Sequence, residues 1–322
     1  MRFLLKYLRS YRHKKLVRPW ALSAPVLVLV IALPMLRPLR HPDPGRVSDD
    51  EQARLATVQA IVERGSLDID GTDFTTHGRQ IEYDGKSYSN QPPMMSAMLS
   101  GAYWVMHRRG LTFERDPATV AYLLTLLGVT IPAACAAGLV YRMGRLFELK
   151  RPWRAGLAAA SVLGTGLISY ATVLNPHVPA AALVLASAAC LIHVTNIKRR
   201  VAAPVWLVLA GVCAALAATI DPSAIPFLPL LAAVVLVVRW AWWRKAGGVM
   251  LYAMGAAAPI VVHAMLTVPV IGDFWQGVGT RVSGPTPASR LSPVAVVTDP
   301  SAAPTSVRPE ALLEIEWDEE TA

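Results

Sequence analysis

The chain has 322 residues, of which 54% are hydrophobic and only 16% charged, with a net charge of +9. Soluble domains carry about 25% charged residues, so this balance argues against an ordinary soluble enzyme and excludes collagen-like, coiled-coil and disulfide-scaffold classes. The positive charge is not a nucleic-acid signature, because the basic residues lie between long apolar runs, where membrane topology uses them. Cys135, Cys190 and Cys213 each fall inside an apolar run and read as small core residues, without zinc-ligand or disulfide spacing.

The chain opens with seven basic residues, from Arg2 to Arg18, in a cytoplasmic segment at 1–18. The apolar run 19–36 follows and is bounded by Arg37 and Arg40 with no small-x-small cleavage site. It reads as an uncleaved signal anchor and first transmembrane helix. Further apolar runs lie at about 117–140, 155–174, 178–195, 202–220, 223–240 and 247–270. About 18 apolar residues suffice to cross a bilayer as a helix. The stretch 92–106 has 15 residues and is too short for a comfortable crossing.

Counting basic residues decides its role. If 92–106 does not span, the loops 141–154, 196–201 and 239–246 face the cytoplasm with eleven Lys and Arg, while the opposite links around Asn175 and Asp221 carry none. If it spans, all eleven move outside, against the positive-inside rule. The expected fold is therefore an all-α polytopic membrane protein of about seven transmembrane helices. An extracytoplasmic loop at 37–116 separates the first helix from a six-helix region at 117–270. A Pro-rich, acidic extracytoplasmic tail at 271–322 reads as disordered.

The long loop has its own architecture. Ser48 and Glu51 form a capping-box pattern, Gly65 is a natural helix end, and Leu55, Val58 and Val62 share a face. A short amphipathic helix on the membrane surface is expected there. Asp49, Asp50 and Glu51 in its first turn complement the helix dipole whether or not they have another purpose. Asp68, Asp70 and Asp73, with His77 nearby, read as a solvated turn, with divalent-cation binding as the alternative; the spacing does not complete an EF-hand. Asp84-Gly85 between short alternating segments marks a β-hairpin over 81–88. Ser89-Asn90-Gln91-Pro92-Pro93 then leads into the 92–106 stretch, expected as a second interfacial helix.

Two stretches carry a resemblance: Asp49-Asp50-Glu51-Gln52-Ala53-Arg54, and Asp84-Gly85-Lys86-Ser87-Tyr88-Ser89-Asn90-Gln91-Pro92-Pro93. An acidic pair opening a loop helix after the first span, then a hairpin running into a Lys-Pro-Pro-like turn, resembles the GT-C-type membrane glycosyltransferases. That group includes protein O-mannosyltransferases and lipid A aminoarabinose transferases. The likeness covers roughly 20–270 and implies a short or truncated member. It implies transfer of a sugar from a polyprenyl-phosphate donor to an acceptor, of unspecified identity, on the extracytoplasmic face. The resemblance gives Asp50 the role of base on the acceptor, with Asp49 and Glu51 beside it, and is compatible with a divalent cation. Carboxylates suit proton removal from a hydroxyl. The Lys of the family turn is Gln91 here, which donates only a neutral hydrogen bond. Lys86, Arg79 and Arg108 are the nearby cations that remain to face a departing phosphate.

Asn175-Pro176-His177 and Asp221-Pro222-Ser223 occupy tight turns on the side of the membrane expected to hold the loop helix. With Gln91 and Lys86, the residues Asn175, His177 and Asp221 form the expected substrate-binding set. Each also has a plain structural reading as a turn or interfacial residue. His193 and His263 read as helix-packing residues. A catalytically silent protein of the same fold, binding a lipid-linked sugar or a partner subunit, is the alternative function. A transporter fits less well, because the spans show neither inverted repeats nor paired broken helices.

Overall fold

The computed structural model describes residues 19–36, 48–74, 80–196, 203–237 and 241–271. All lie within one unit, Met1–Gly279; the second unit, Thr280–Ala322, is outside the described residues. The basic segment 1–18, the acidic tail, His77 and Arg79 also fall outside them.

The described residues form helices and one two-stranded hairpin. In chain order these are α1 (Pro19–Ala32), α2 (Asp49–Glu63), β1 (Gln80–Tyr83), β2 (Lys86–Ser89), α3 (Pro93–Arg108), α4 (Pro117–Thr125), α5 (Ile131–Met143), α6 (Arg151–Leu163), α7 (Leu167–Tyr170), α8 (His177–Asn196), α9 (Ala203–Ile220), α10 (Phe227–Val237) and α11 (Trp242–Ile271). A π-helical turn, Leu126–Thr130, joins α4 to α5. Pro132 has no N–H to donate into the ladder, so the backbone re-phases by one residue just before it. Together these elements make one apolar helix, Pro117–Met143.

Among the described residues, four helices are long and apolar enough to cross a membrane: Pro117–Met143, His177–Val194, Ala203–Ile220 and Trp242–Val268. Even the 18-residue members reach about 27 Å, close to the thickness of a hydrocarbon core. Large apolar side chains remain exposed along them, including Val205, Met250, Met254, Val261 and Met265. A soluble protein rarely leaves so much apolar surface open, so these helices suggest a membrane protein.

The run 155–174 is not one continuous helix. It stops at Leu163, Gly164 follows, and Gly166 takes φ +71° before the single turn of α7. A Cβ at Gly164 would lie 2.8 Å from the Ala160 carbonyl oxygen. The Gly-Thr-Gly stretch therefore breaks the helix and frees residues 171–176 to fold as an irregular segment. Irregular backbone among membrane helices is tolerated where it is buried or lines a cavity.

Two apolar cores hold the bundle. The larger joins α1, α2, α3, the α4–α5 span, α6 and the start of α8, through residues such as Val28, Val58, Leu99, Tyr103, Leu124 and Val162. The smaller joins the far end of α8 to α9, α10 and α11 through Leu191, Leu207, Leu231 and Tyr252. The α9–α11 pair is the most extensive contact. Its backbones touch: a Cβ at Gly211 would lie 1.9 Å from the Tyr252 carbonyl oxygen, and one at Gly255 would lie 2.1 Å from that of Val208. Small residues permit such close approach where water offers no driving force between helices.

The helix, hairpin and second helix expected in the loop all form. Ser48 and Glu51 complete the capping box, and Gly65 takes φ +67° just beyond the helix end. Asp84 and Gly85 both have positive φ, as a type I′ hairpin turn needs. The face-split expected for α2 does not appear. Every residue from Glu51 to Ala60 is buried, including Gln52, Arg54, Thr57 and Gln59. The helix is enclosed by its own chain, because α3 covers one side and the 170s segment bonds to its first turn.

Candidate functional site

The first turn of α2 sets the site. The Glu51 carboxylate is divided between two tasks. One oxygen accepts from the Ser48 backbone N–H and hydroxyl, each at 3.1 Å, and the other accepts from the Leu174 N–H at 2.8 Å. Glu51 therefore anchors the irregular segment against the loop helix. Asp50 and Arg54 follow one helical turn apart, and neighbours at that spacing share a face. Gln91 reaches between them. Its carbonyl accepts from the Arg54 guanidinium at 2.7 Å, and its amide donates to Asp50 at 2.9 Å. Arg54 is only 3% exposed. Burial lowers its pKa, against the opposing pull of Asp50, Glu51 and Asp221; a guanidinium stays charged through such a shift.

The opposite wall comes from the two helix turns. The Asn175 amide donates to the carbonyls of Tyr170 and Val173 at 2.6 and 2.7 Å, while its oxygen accepts from the Val178 N–H at 3.1 Å. It shapes the entry to α8. Asp221 ends α9, and its side chain accepts from the Ser223 N–H at 3.0 Å. Its other oxygen accepts from Nδ1 of His177 at 2.5 Å. Burial pushes the Asp221 carboxyl up, but the hydrogen bonds from His177 and Ser223 outweigh it and leave the group below the usual carboxylate range.

These walls enclose a cavity of about 400 Å³, lined among others by Asp50, Arg54, Gln91, Asn175, His177 and Asp221. A second cavity, about 420 Å³, runs between α5, α6, α8 and α10 and is lined mainly by Ala, Val and Leu side chains. His177 and Asp221 line both.

The sequence-derived residues are distributed unevenly. Asp50, Gln91, Asn175, His177 and Asp221 come together on the polar cavity. Asp49 is exposed at the helix start and Glu51 is turned toward Ser48 and Leu174; neither lines it. Lys86 stands at the hairpin turn, largely exposed, 3.7 Å from Asp68, and it too is outside the lining. Arg108 stacks over Trp104 at the far end of α3. Arg54 is a further cation on the cavity, beyond the residues expected from the sequence. Its signal was present in the one-turn spacing from Asp50. Its partnership with Gln91, 37 residues away, has no signature in sequence.

Among the described residues, the acidic groups are held by partners of the chain itself. Among the described residues no set of three or more His, Cys, Asp and Glu side chains is arranged to hold a metal ion. In the Asp68–Asp73 turn, Arg64 donates to the carbonyls of Asp68 and Asp70 and pairs with the Asp68 carboxylate at 3.2 Å. Gln59 donates to Asp73 at 2.7 Å. The Arg64 guanidinium and the Gln59 amide thus already pair with the carboxylates of Asp68 and Asp73. In the main cavity Gln91, His177 and Ser223 occupy the carboxylates in the same way. Compared with protein-family models, curated proteins and solved structures, the chain matches none.

Proposed function

We propose that the protein is an integral membrane glycosyltransferase of GT-C-like type, using a polyprenyl-phosphate sugar and an acceptor at the extracytoplasmic face. One observation carries the reading: a polar cavity with carboxylate, guanidinium, amide and imidazole groups adjoins an apolar cavity between helices. That pairing suits an amphiphile with a hydroxyl-rich head and a hydrocarbon chain. In this reading Asp50 takes the proton of the acceptor hydroxyl as its oxygen bonds to the anomeric carbon. The anomeric bond to phosphate breaks, and the lipid phosphate leaves with the electron pair. The same reading takes α1, α6 with α7, and α10 as crossings besides the four long helices, giving seven spans. The basic residues at 142–154 and 244–245 then lie in the cytoplasm, and the cavity faces outward.

The second reading is a silent relative that binds a lipid-linked sugar or a partner subunit. What favours it is Gln91, whose amide holds Asp50 and whose carbonyl holds Arg54. Purified protein incubated with a polyprenyl-phosphate sugar separates the two. Turnover that falls at least about 10²-fold in Asp50→Asn supports the enzyme. Equal turnover in the variant removes Asp50 as the base, and binding without turnover selects the silent relative.

A further inference from the structure

In a lipid-linked sugar the phosphate joins the polar head to the apolar chain. Seating the head in the polar cavity and the chain in the apolar one places that phosphate where the two meet. His177 and Asp221 are the residues common to both linings, and His177 also lines a third cavity beside α7. Asp221 cannot receive an anion, since it is itself an anion, 5% exposed, with both oxygens engaged. The His177 side chain is 62% exposed.

We propose that His177, oriented by Asp221, is the group that binds the phosphate of a lipid-linked ligand at the junction of the two cavities. The inference rests on the reading of the paired cavities as a lipid-linked-sugar site. The chemistry follows from the tautomer. A carboxylate only accepts, so Nδ1 carries the proton shared with Asp221. In the neutral ring, Nε2 is then an acceptor and repels phosphate oxygen. In the imidazolium, Nε2–H is a charged donor, and binding is coupled to proton uptake. The charged and titratable groups facing the ring are Asp221 from the α9–α10 turn, Asp50 and Arg54 from α2 across the cavity, and Tyr170 from α7, whose ring stands edge-on at 6.4 Å. His177 also opens α8, where the helix dipole favours an anion. Arg54 lies deeper, under Gln91, so the exposed imidazole is the group within reach of a phosphate at the junction.

The test uses the full chain in detergent and a methyl farnesyl phosphate diester, whose single charge is constant between pH 5.5 and 8. Farnesol and inorganic phosphate are the companion probes, with affinity read by calorimetry. The expected result is diester binding that weakens as pH rises, by up to about tenfold per unit. Binding at the acidic end is expected to fall about 10- to 100-fold in His177→Ala, the range for a lost charge-assisted hydrogen bond. In His177→Gln, which keeps a neutral donor, the pH dependence disappears; in His193→Gln it persists. A flat wild-type profile, or an unchanged slope in His177→Ala and His177→Gln, overturns the inference and leaves the lipid site standing. Farnesol binding as tightly as the diester does the same. Inorganic phosphate binding as tightly as the diester makes the site one for free phosphate and overturns the junction. No binding of the diester or of a polyprenyl-phosphate sugar at any pH overturns the proposed function and this inference together.

Discussion

Gln91→Lys puts a cation beside Asp50 and Arg54, and the structure argues that it destabilises the protein. Gln91 is used as donor and acceptor at once, accepting from Arg54 at 2.7 Å and donating to Asp50 at 2.9 Å. A lysine has three donors and no acceptor. Its ammonium would sit near one cation and one anion at similar distances. At an effective dielectric of about 20, each pair at about 4 Å is worth about 4 kcal/mol with opposite signs, so the Coulomb terms nearly cancel. What remains is the lost acceptor for a buried guanidinium, about 2 kcal/mol from the range for hydrogen bonds to charged groups. That is a 30-fold shift in the folded ratio, or a Tm about 3 °C lower for a chain of this size. Thermal unfolding in detergent, followed by intrinsic tryptophan fluorescence, measures it. Arg54→Gln in the same chain should recover at least about 1 kcal/mol as a coupling energy. A Gln91→Lys protein as stable as wild type, or a double variant with no coupling, refutes the bridging role.

Three further outcomes follow from the geometry. Gly211→Ala pushes a Cβ onto the Tyr252 carbonyl oxygen at 1.9 Å and should cost about 3 kcal/mol, the top of the usual overpacking range. Gly101→Ala, with nothing within 4 Å of the new carbon, should be neutral or stabilising in the same melt. Glu51→Ala removes a capping box and leaves the Leu174 N–H without its acceptor, costing about 2–3 kcal/mol. Glu51→Gln should recover part of this, and faster amide exchange at 174 would report the loss. Asp221 has a folded pKa below its unfolded value, so its contribution is present above about pH 4 and is lost as pH falls through the folded value. Tm measured from pH 6 to 3 should drop more steeply for wild type than for Asp221→Asn; parallel curves contradict the assignment.

Local order was legible in the sequence wherever it depends on neighbours in the chain. The capping box at Ser48 and Glu51, the Asp84-Gly85 hairpin and the long apolar helices all came from spacing and residue type, because hydrogen bonds within one helix or turn are decided over a few residues. The break at Gly164 has a local signal too, in Gly164 and Gly166 within the apolar run. The membership of the cavity was legible in part. Asn175, His177 and Asp221 stood out as polar residues in otherwise apolar surroundings, where burying them has to serve some end.

Tertiary structure alone decided the partners. Glu51 has the sequence position of a site carboxylate, but the Leu174 N–H, 123 residues away, occupies it. Lys86 carries a suitable charge but stands exposed at the hairpin turn beside Asp68, outside the cavity lining. Arg54 became a site residue only because α2 is buried and Gln91 arrives from the start of α3. Composition and periodicity dictate which segments are helices and which are apolar enough to meet lipid. They do not dictate which helix end meets which, because that depends on long-range packing, here the close contact of α9 with α11 and the irregular segment after Gly166. His177 meets Asp221 through that packing, and neither residue carries a mark of the other in the sequence.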